Sequence, residues 1–159
     1  MSTRCQIGIF EKPFIENGKL NNPHTLIYRH NDGYPEGILK PLTDFTKDFI
    51  KNRGFDAEYI GARLLCYLIS EHTEDLPNQS RKDYKGEKVK TSKFGGILTY
   101  GICKYGDFHG DIKYFYAVFK DKIEVYKTSL WDDTKAENFK LVEIIKISWQ
   151  YVKELYKYT

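Results

Sequence analysis

Four segments in the second half of the chain read as β-strands: GGILTYGICKY, DIKYFYAVFKD, KIEVYKTS and KLVEIIKIS. They are rich in β-branched and aromatic residues, which suit a pleated, half-buried surface. RCQIGIF at 4–10 and TLIYRH at 25–30 have the same character. These two are expected to pair antiparallel across the loop EKPFIENGKLNNPH, which Pro13, Gly18, Asn21, Asn22 and Pro23 punctuate. A single helical block interrupts the strands. Ile38, Leu42, Phe45 and Phe49 recur at helical spacing. Pro41 fits only the first turn of a helix, so the regular helix is expected to start near Leu39. Gly54 is its expected terminator, and Asp56 suits the N-cap of a second helix. That helix carries Ile60, Leu64, Tyr67 and Leu68 on one face.

The predicted order is β-β-α-α-β-β-β-β-α, with Trp149–Tyr158 as the last helix. The fold class is α+β. It is expected to be a mainly antiparallel single sheet with a helical hairpin packed on one face and a short C-terminal helix. The short junction at Asp121–Lys122 predicts a hairpin. A chain of 159 residues fits one domain, 1–159, interrupted by a long polar loop at 72–93. From Arg81 to Lys93 that loop holds six basic residues against two acids. Such a run is either a solvated surface or a lid that brings charge over an anionic ligand.

Composition limits the function classes. Hydrophobic residues at 41% and charged residues at 30% describe a soluble globular chain. A net charge of +3 from 25 basic and 22 acidic residues is too mixed for general nucleic-acid binding, yet it allows a local basic pocket. Cys5, Cys66 and Cys103 form no C-x-x-C, so neither a disulfide framework nor a cysteine zinc site is expected, and each reads as a reduced core thiol. With no signal peptide and no apolar run near 18 residues, the expected location is cytoplasmic, away from membranes.

Chemistry concentrates in two stretches. YRHNDGYPEG at 28–37 carries Arg29, His30, Asp32 and Tyr34, and GDFHGDIKYFY at 106–116 carries His109, Asp111 and Tyr114. H-x-D therefore occurs twice, each time near an expected strand end. Residues two apart on an extended segment share a side, so each pair would present an imidazole with a carboxylate. Three chemistries compete. The pairs could hold a metal. The histidines could act as general base and general acid, with Asp fixing their tautomers. Or the residues could bind without reacting: Arg4, Arg29, the histidines and Lys113 on phosphates, and Tyr28, Tyr34, Tyr114 and Tyr116 on a base. Against all three, Asp32-Gly33 is a strong turn dipeptide with Gly33 at positive φ, and Arg4 and Gln6 fit an exposed edge strand. A helix opening at Glu36–Gly37 would add free N–H groups for an anion.

Across STRCQIGIFE, LIYRHNDGYPEGIL, GFDAEYIGARLLCYL and FHGDIKYFYAV, the chain resembles an uncharacterised family of short bacterial and phage proteins. Its marks are S-T-R-x-Q, Y-R-H-x-D-G-Y-P-E-G and H-G-D-I-x-Y-x-Y. The chain departs from it at Asn31, where the turn usually carries an aromatic. The phage association implies, by analogy, sequestration of a nucleotide immune signal in the host cytoplasm.

The leading expectation is a module that binds a small anionic, nucleotide-like ligand. Arg4, Arg29, His30, Tyr34, His109, Asp111 and Tyr114 would contact it, with no metal and no cofactor. The alternative is an enzyme, a metal-independent phosphodiesterase or nucleotide-processing hydrolase with His30 and His109 as acid and base. That reading resembles the two-histidine phosphodiesterases, although their His-x-hydroxyl motifs carry Ser or Thr where Asp stands here. A protein-interaction module is the third class, and free strand edges make a homodimer an expected assembly.

Overall fold

The computed structural model describes residues 3–71, 81–82, 85, 88–89, 99–131 and 133–147. Its main sheet has six strands. In chain order they are β1 (Cys5–Ile9), β4 (Thr25–Arg29), β7 (Tyr100–Ile102), β8 (Tyr114–Val118), β9 (Lys122–Thr128) and β10 (Phe139–Lys146). Across the sheet the order is β10-β9-β8-β1-β4-β7. Two-residue strands make two further small pairs, β2 (Ile15–Glu16) with β3 (Lys19–Leu20) and β5 (Arg81–Lys82) with β6 (Lys88–Val89). A 3-10 turn at Ala136–Asn138 leads into β10.

The α+β class holds, and the sheet corrects the expected topology. β1 pairs antiparallel with β4, and β8 with β9 across the Asp121–Lys122 junction. β1 and β8, however, run parallel, Cys5 against Tyr114 through Ile9 against Val118, so the sheet is mixed. The expected C-terminal helix and most of the 72–93 loop lie outside the described residues. Among the described residues, no helix is long and apolar enough to cross a membrane.

α1 (Pro35–Arg53) and α2 (Ala57–Glu71) cover one face. α1 starts four residues earlier than Pro41 implied. Pro35 takes the first helical position, and the Tyr34 carbonyl accepts from the N–H groups of Gly37 (2.9 Å) and Ile38 (3.2 Å). Pro41 then sits inside the helix. Ile38, Leu42, Thr46 and Ile50 form the buried stripe, with the Thr46 hydroxyl donating to the Leu42 carbonyl at 2.7 Å. Gly54 ends α1 at φ 81°, and Asp56 precedes α2 with its carboxylate 3.5 Å from the Tyr59 N–H.

Ile7, Ile9, Ile27, Tyr116, Val118, Ile123 and Val125 face the helices. The opposite face is covered by loops. Phe10 and Phe14 come from the β1–β4 connection, Phe108 from the segment before β8, and Leu130 from the segment after β9. They close over Phe115, Tyr126 and Phe139, with Phe14 4.6 Å from Phe115 and 5.0 Å from Phe139 between ring centroids. Both faces of β1 are thus covered, and all five of its residues are buried.

Candidate functional site

Three strand ends meet at one edge of this core. β1 begins at Cys5, which pairs with Arg29 at the end of β4 and Tyr114 at the start of β8. Arg4, His30 and Lys113 therefore flank one another just outside the sheet. The Lys113 N–H donates to the Arg4 carbonyl at 2.9 Å, and the His30 N–H donates to the Thr99 carbonyl at 2.8 Å.

Arg4 joins the two sequence motifs. Its Nη1 donates to Asp111 Oδ2 at 2.7 Å and its Nε points at His30 Nδ1 at 3.3 Å. The Tyr28 hydroxyl lies 2.9 Å from the same Nδ1. A guanidinium keeps its protons, so Nδ1 is an acceptor and the neutral ring carries its proton on Nε2. Tyr28 is then the second donor. Burial pushes its phenol up, the Asp111 charge adds to this, and Arg4 opposes it. The Tyr28 ring also lies 4.6 Å from the His109 ring at 33°, and 6.0 Å from His30. One tyrosine thus touches both histidines.

Beneath them is Gln6, wholly buried on β1. Its Nε2 donates to the Asp107 carbonyl and to Cys103 Sγ, both at 3.0 Å, and its Oε1 accepts from the His109 N–H at 3.0 Å. The amide pins the 103–109 segment against the sheet, which places His109 beside Tyr28. Arg4 and Asp111 stay about one-third exposed, as does His109, so the cluster is open to a ligand.

The structure brings Arg4, His30, His109 and Asp111 together but re-pairs them. Asp32 is at φ 53°, off the extended path, and its carboxylate does not join His30. The carboxylate near His30 is Asp111, bridged by Arg4. Among the described residues, the carboxylate that meets His109 is Asp107, at 4.0 Å. Among the described residues, no three His, Cys, Asp or Glu side chains group to hold a metal ion.

Arg29 and Tyr114 belong to the other face, and Tyr34 stands exposed at the start of α1. Arg29 follows Tyr28 by one residue, so it points toward the helices and is buried. Tyr114 packs against the helix-side core and stacks on Tyr116 at 6.4 Å. Tyr34 is the residue before α1, and its carbonyl already takes the Gly37 and Ile38 N–H groups, so the expected anion site at that helix start is largely occupied. Gly33 corrects another expectation. Its φ is not positive. It is glycine because a Cβ would lie 2.8 Å from the Cys5 backbone nitrogen and Cβ.

Gln6, Cys103 and Asp107 were not expected here. An amide among apolar neighbours in CQIGI is the signal for Gln6, which is central rather than at an edge. Cys5 is a buried thiol as expected, whereas Cys66 is exposed and Cys103 half-buried. No family model matches the chain, and no curated protein or solved structure matches it either.

Proposed function

We propose that the chain binds a small anionic, nucleotide-like ligand at the Arg4 cluster and holds it intact. The observation that carries this is the double contact of Arg4 with His30 and Asp111, which ties two distant motifs into one open patch. Held by Asp111, the guanidinium is pre-oriented, so less side-chain freedom is lost on binding. Arg4 and the His30 Nε2–H supply donors to phosphate oxygens. The adjoining Tyr28 and His109 rings supply stacking faces for a base. In the setting implied by the motif resemblance, the role is sequestration of a nucleotide signal.

The test is to incubate the protein with candidate nucleotides, release what is bound by heat, and analyse it. Cyclic dinucleotides, cyclic oligonucleotides and ADP-ribose derivatives are the panel. Intact recovery at a fixed stoichiometry, lost in Arg4→Ala and His109→Ala, supports the proposal. A ligand at a hundred times its dissociation constant adds about 2.7 kcal/mol of stability. Absence of any thermal shift across the panel would refute it.

The contact of both imidazoles with one tyrosine favours a second reading, acid–base hydrolysis of a phosphodiester. Turnover abolished by His30→Ala and by His109→Ala alike would select it.

A further inference from the structure

A pocket of about 260 Å³ lies on the opposite face of the sheet from Arg4, between the two helices and β7. Arg29 lines it and is only 6% exposed. Among the described residues its one hydrogen bond runs from Nε to the Asn31 carbonyl at 2.6 Å. Its Cζ lies 5.4 Å from the Tyr100 ring centre, and no described carboxylate pairs with it. No fully enclosed polar side-chain atom lacks a partner among the described residues. The two terminal nitrogens of Arg29 are therefore not fully enclosed, and the residue lines the cavity. A buried guanidinium without a counter-charge is costly, and its planar fork is shaped to grip a carboxylate or phosphate.

A second, independent feature lines the same pocket. Pro41 sits inside α1 and has no N–H. The Gly37 carbonyl, four residues earlier, cannot receive its helical hydrogen bond. Gly37 also lines the pocket, so one wall carries a carbonyl with spare acceptor capacity. The outer lining adds two acids, Asp44 and Glu71, and the cation Lys40. Both acids are exposed, and Asp44 is held by Lys40 at 2.6 Å. The pocket is positive at its buried base and acceptor-rich nearer solvent.

We propose that this pocket binds a small zwitterion of the amino-acid class. Its carboxylate sits on Arg29, and its ammonium turns toward the Gly37 carbonyl and Glu71. Its side chain packs on Tyr67 and Leu68. The size agrees, since the volume falls below the ~300–1,000 Å³ of clefts for drug-sized ligands. A dinucleotide is too large, and with Asp44 paired to Lys40, Glu71 is the rim carboxylate left to meet an ammonium. The site does not share residues with the Arg4 cluster and stands or falls separately from it.

The test is a thermal-shift and calorimetric screen of the full chain. The probes are the proteinogenic L-amino acids, the matching amines without the carboxylate, the matching acids without the amine, and inorganic phosphate. One or more amino acids are expected to bind, and the matching amines are not. Arg29→Gln is expected to weaken the bound amino acid roughly a hundredfold. Two milder variants keep the proposal testable should Arg29→Gln not fold. Pro41→Ala returns an N–H to the helix, and is expected to raise the melting temperature while weakening the amino acid several-fold. Glu71→Gln, on the exposed rim, is expected to erase the preference for the amino acid over its matching acid. Protection by phosphate alone, equal binding of the amines, no binding by any amino acid, or unchanged affinity in Pro41→Ala and Glu71→Gln would each overturn it.

Discussion

Arg4 and Arg29 stand at the same end of the sheet, on adjacent strands and opposite faces. Arg4 is one-third exposed and held on two of its nitrogens, Nη1 by Asp111 and Nε by His30, which leaves N–H donors for a ligand. Arg29 is almost wholly buried, and among the described residues its one hydrogen bond runs from Nε to the Asn31 carbonyl. Among the described residues the solvated arginine has a carboxylate partner and the desolvated one has none, the reverse of what stability alone favours. Arg4 acts as a strut that holds a surface patch in shape. Among the described residues the terminal nitrogens of Arg29 have no acceptor, and the amino-acid proposal rests on this. A one-residue step along β4, from Tyr28 to Arg29, separates the two.

The largest effect that bears on this contrast is alkaline loss of stability on the helix side. Burial pushes the Cys5 thiol from 9.0 up to about 12, with Arg29 opposing, and burial pushes the Tyr100 phenol up to about 12. Below pH 9 the thiol is protonated in both states and its contribution is intact. As pH rises further, the unfolded chain ionises first. Stability then falls by about 1.4 kcal/mol per pH unit until the folded thiol ionises near 12. Urea unfolding of Cys5→Ala should show a shallower alkaline slope than the parent, and equal slopes would contradict the assignment.

Gly33→Ala strikes the close approach of the 31–34 turn to Cys5 on β1. The added methyl meets Cys5 backbone, which cannot swing aside, so a loss of about 3 kcal/mol is expected in denaturant unfolding. Gln6→Ala breaks the contrast on one side only. It strands the Asp107 carbonyl and the His109 N–H, at a cost of about 2 kcal/mol. Amide exchange should speed up over 103–109 and stay unchanged in α1. Smallest is the Arg4–Asp111 coupling. Both side chains are about one-third exposed, so solvent screening holds a double-mutant cycle under about 1 kcal/mol.

The repeated H-x-D made the convergence of His30, His109 and Asp111 legible, because the rare histidine recurred at one spacing from an aspartate. Their pairings were not. Alternation predicts that His30 and Asp32 share a side only while the strand continues, and β4 stops at Arg29. The same alternation, applied from Tyr28, does assign Arg29 to the other face once the strand boundary is known. The helical hairpin was readable from Ile38, Leu42, Ile60 and Leu64. The parallel β1–β8 pair was not, since it joins residues more than a hundred positions apart and carries no local mark. Nor was the second core, whose Phe10, Phe14 and Phe108 sit at or beyond strand ends, where periodicity is silent.

The central claim is that Arg4, Tyr28, His30 and His109 form one ligand-binding unit. Nitrogen-resolved NMR of the imidazoles, free and titrated with the nucleotide panel, tests it most directly. The account predicts His30 protonated on Nε2 in the free protein, because Nδ1 accepts from Arg4 and Tyr28. It also predicts that both imidazoles shift together and saturate with one ligand. A His30 proton on Nδ1, or a ligand that moves neither ring, would contradict it.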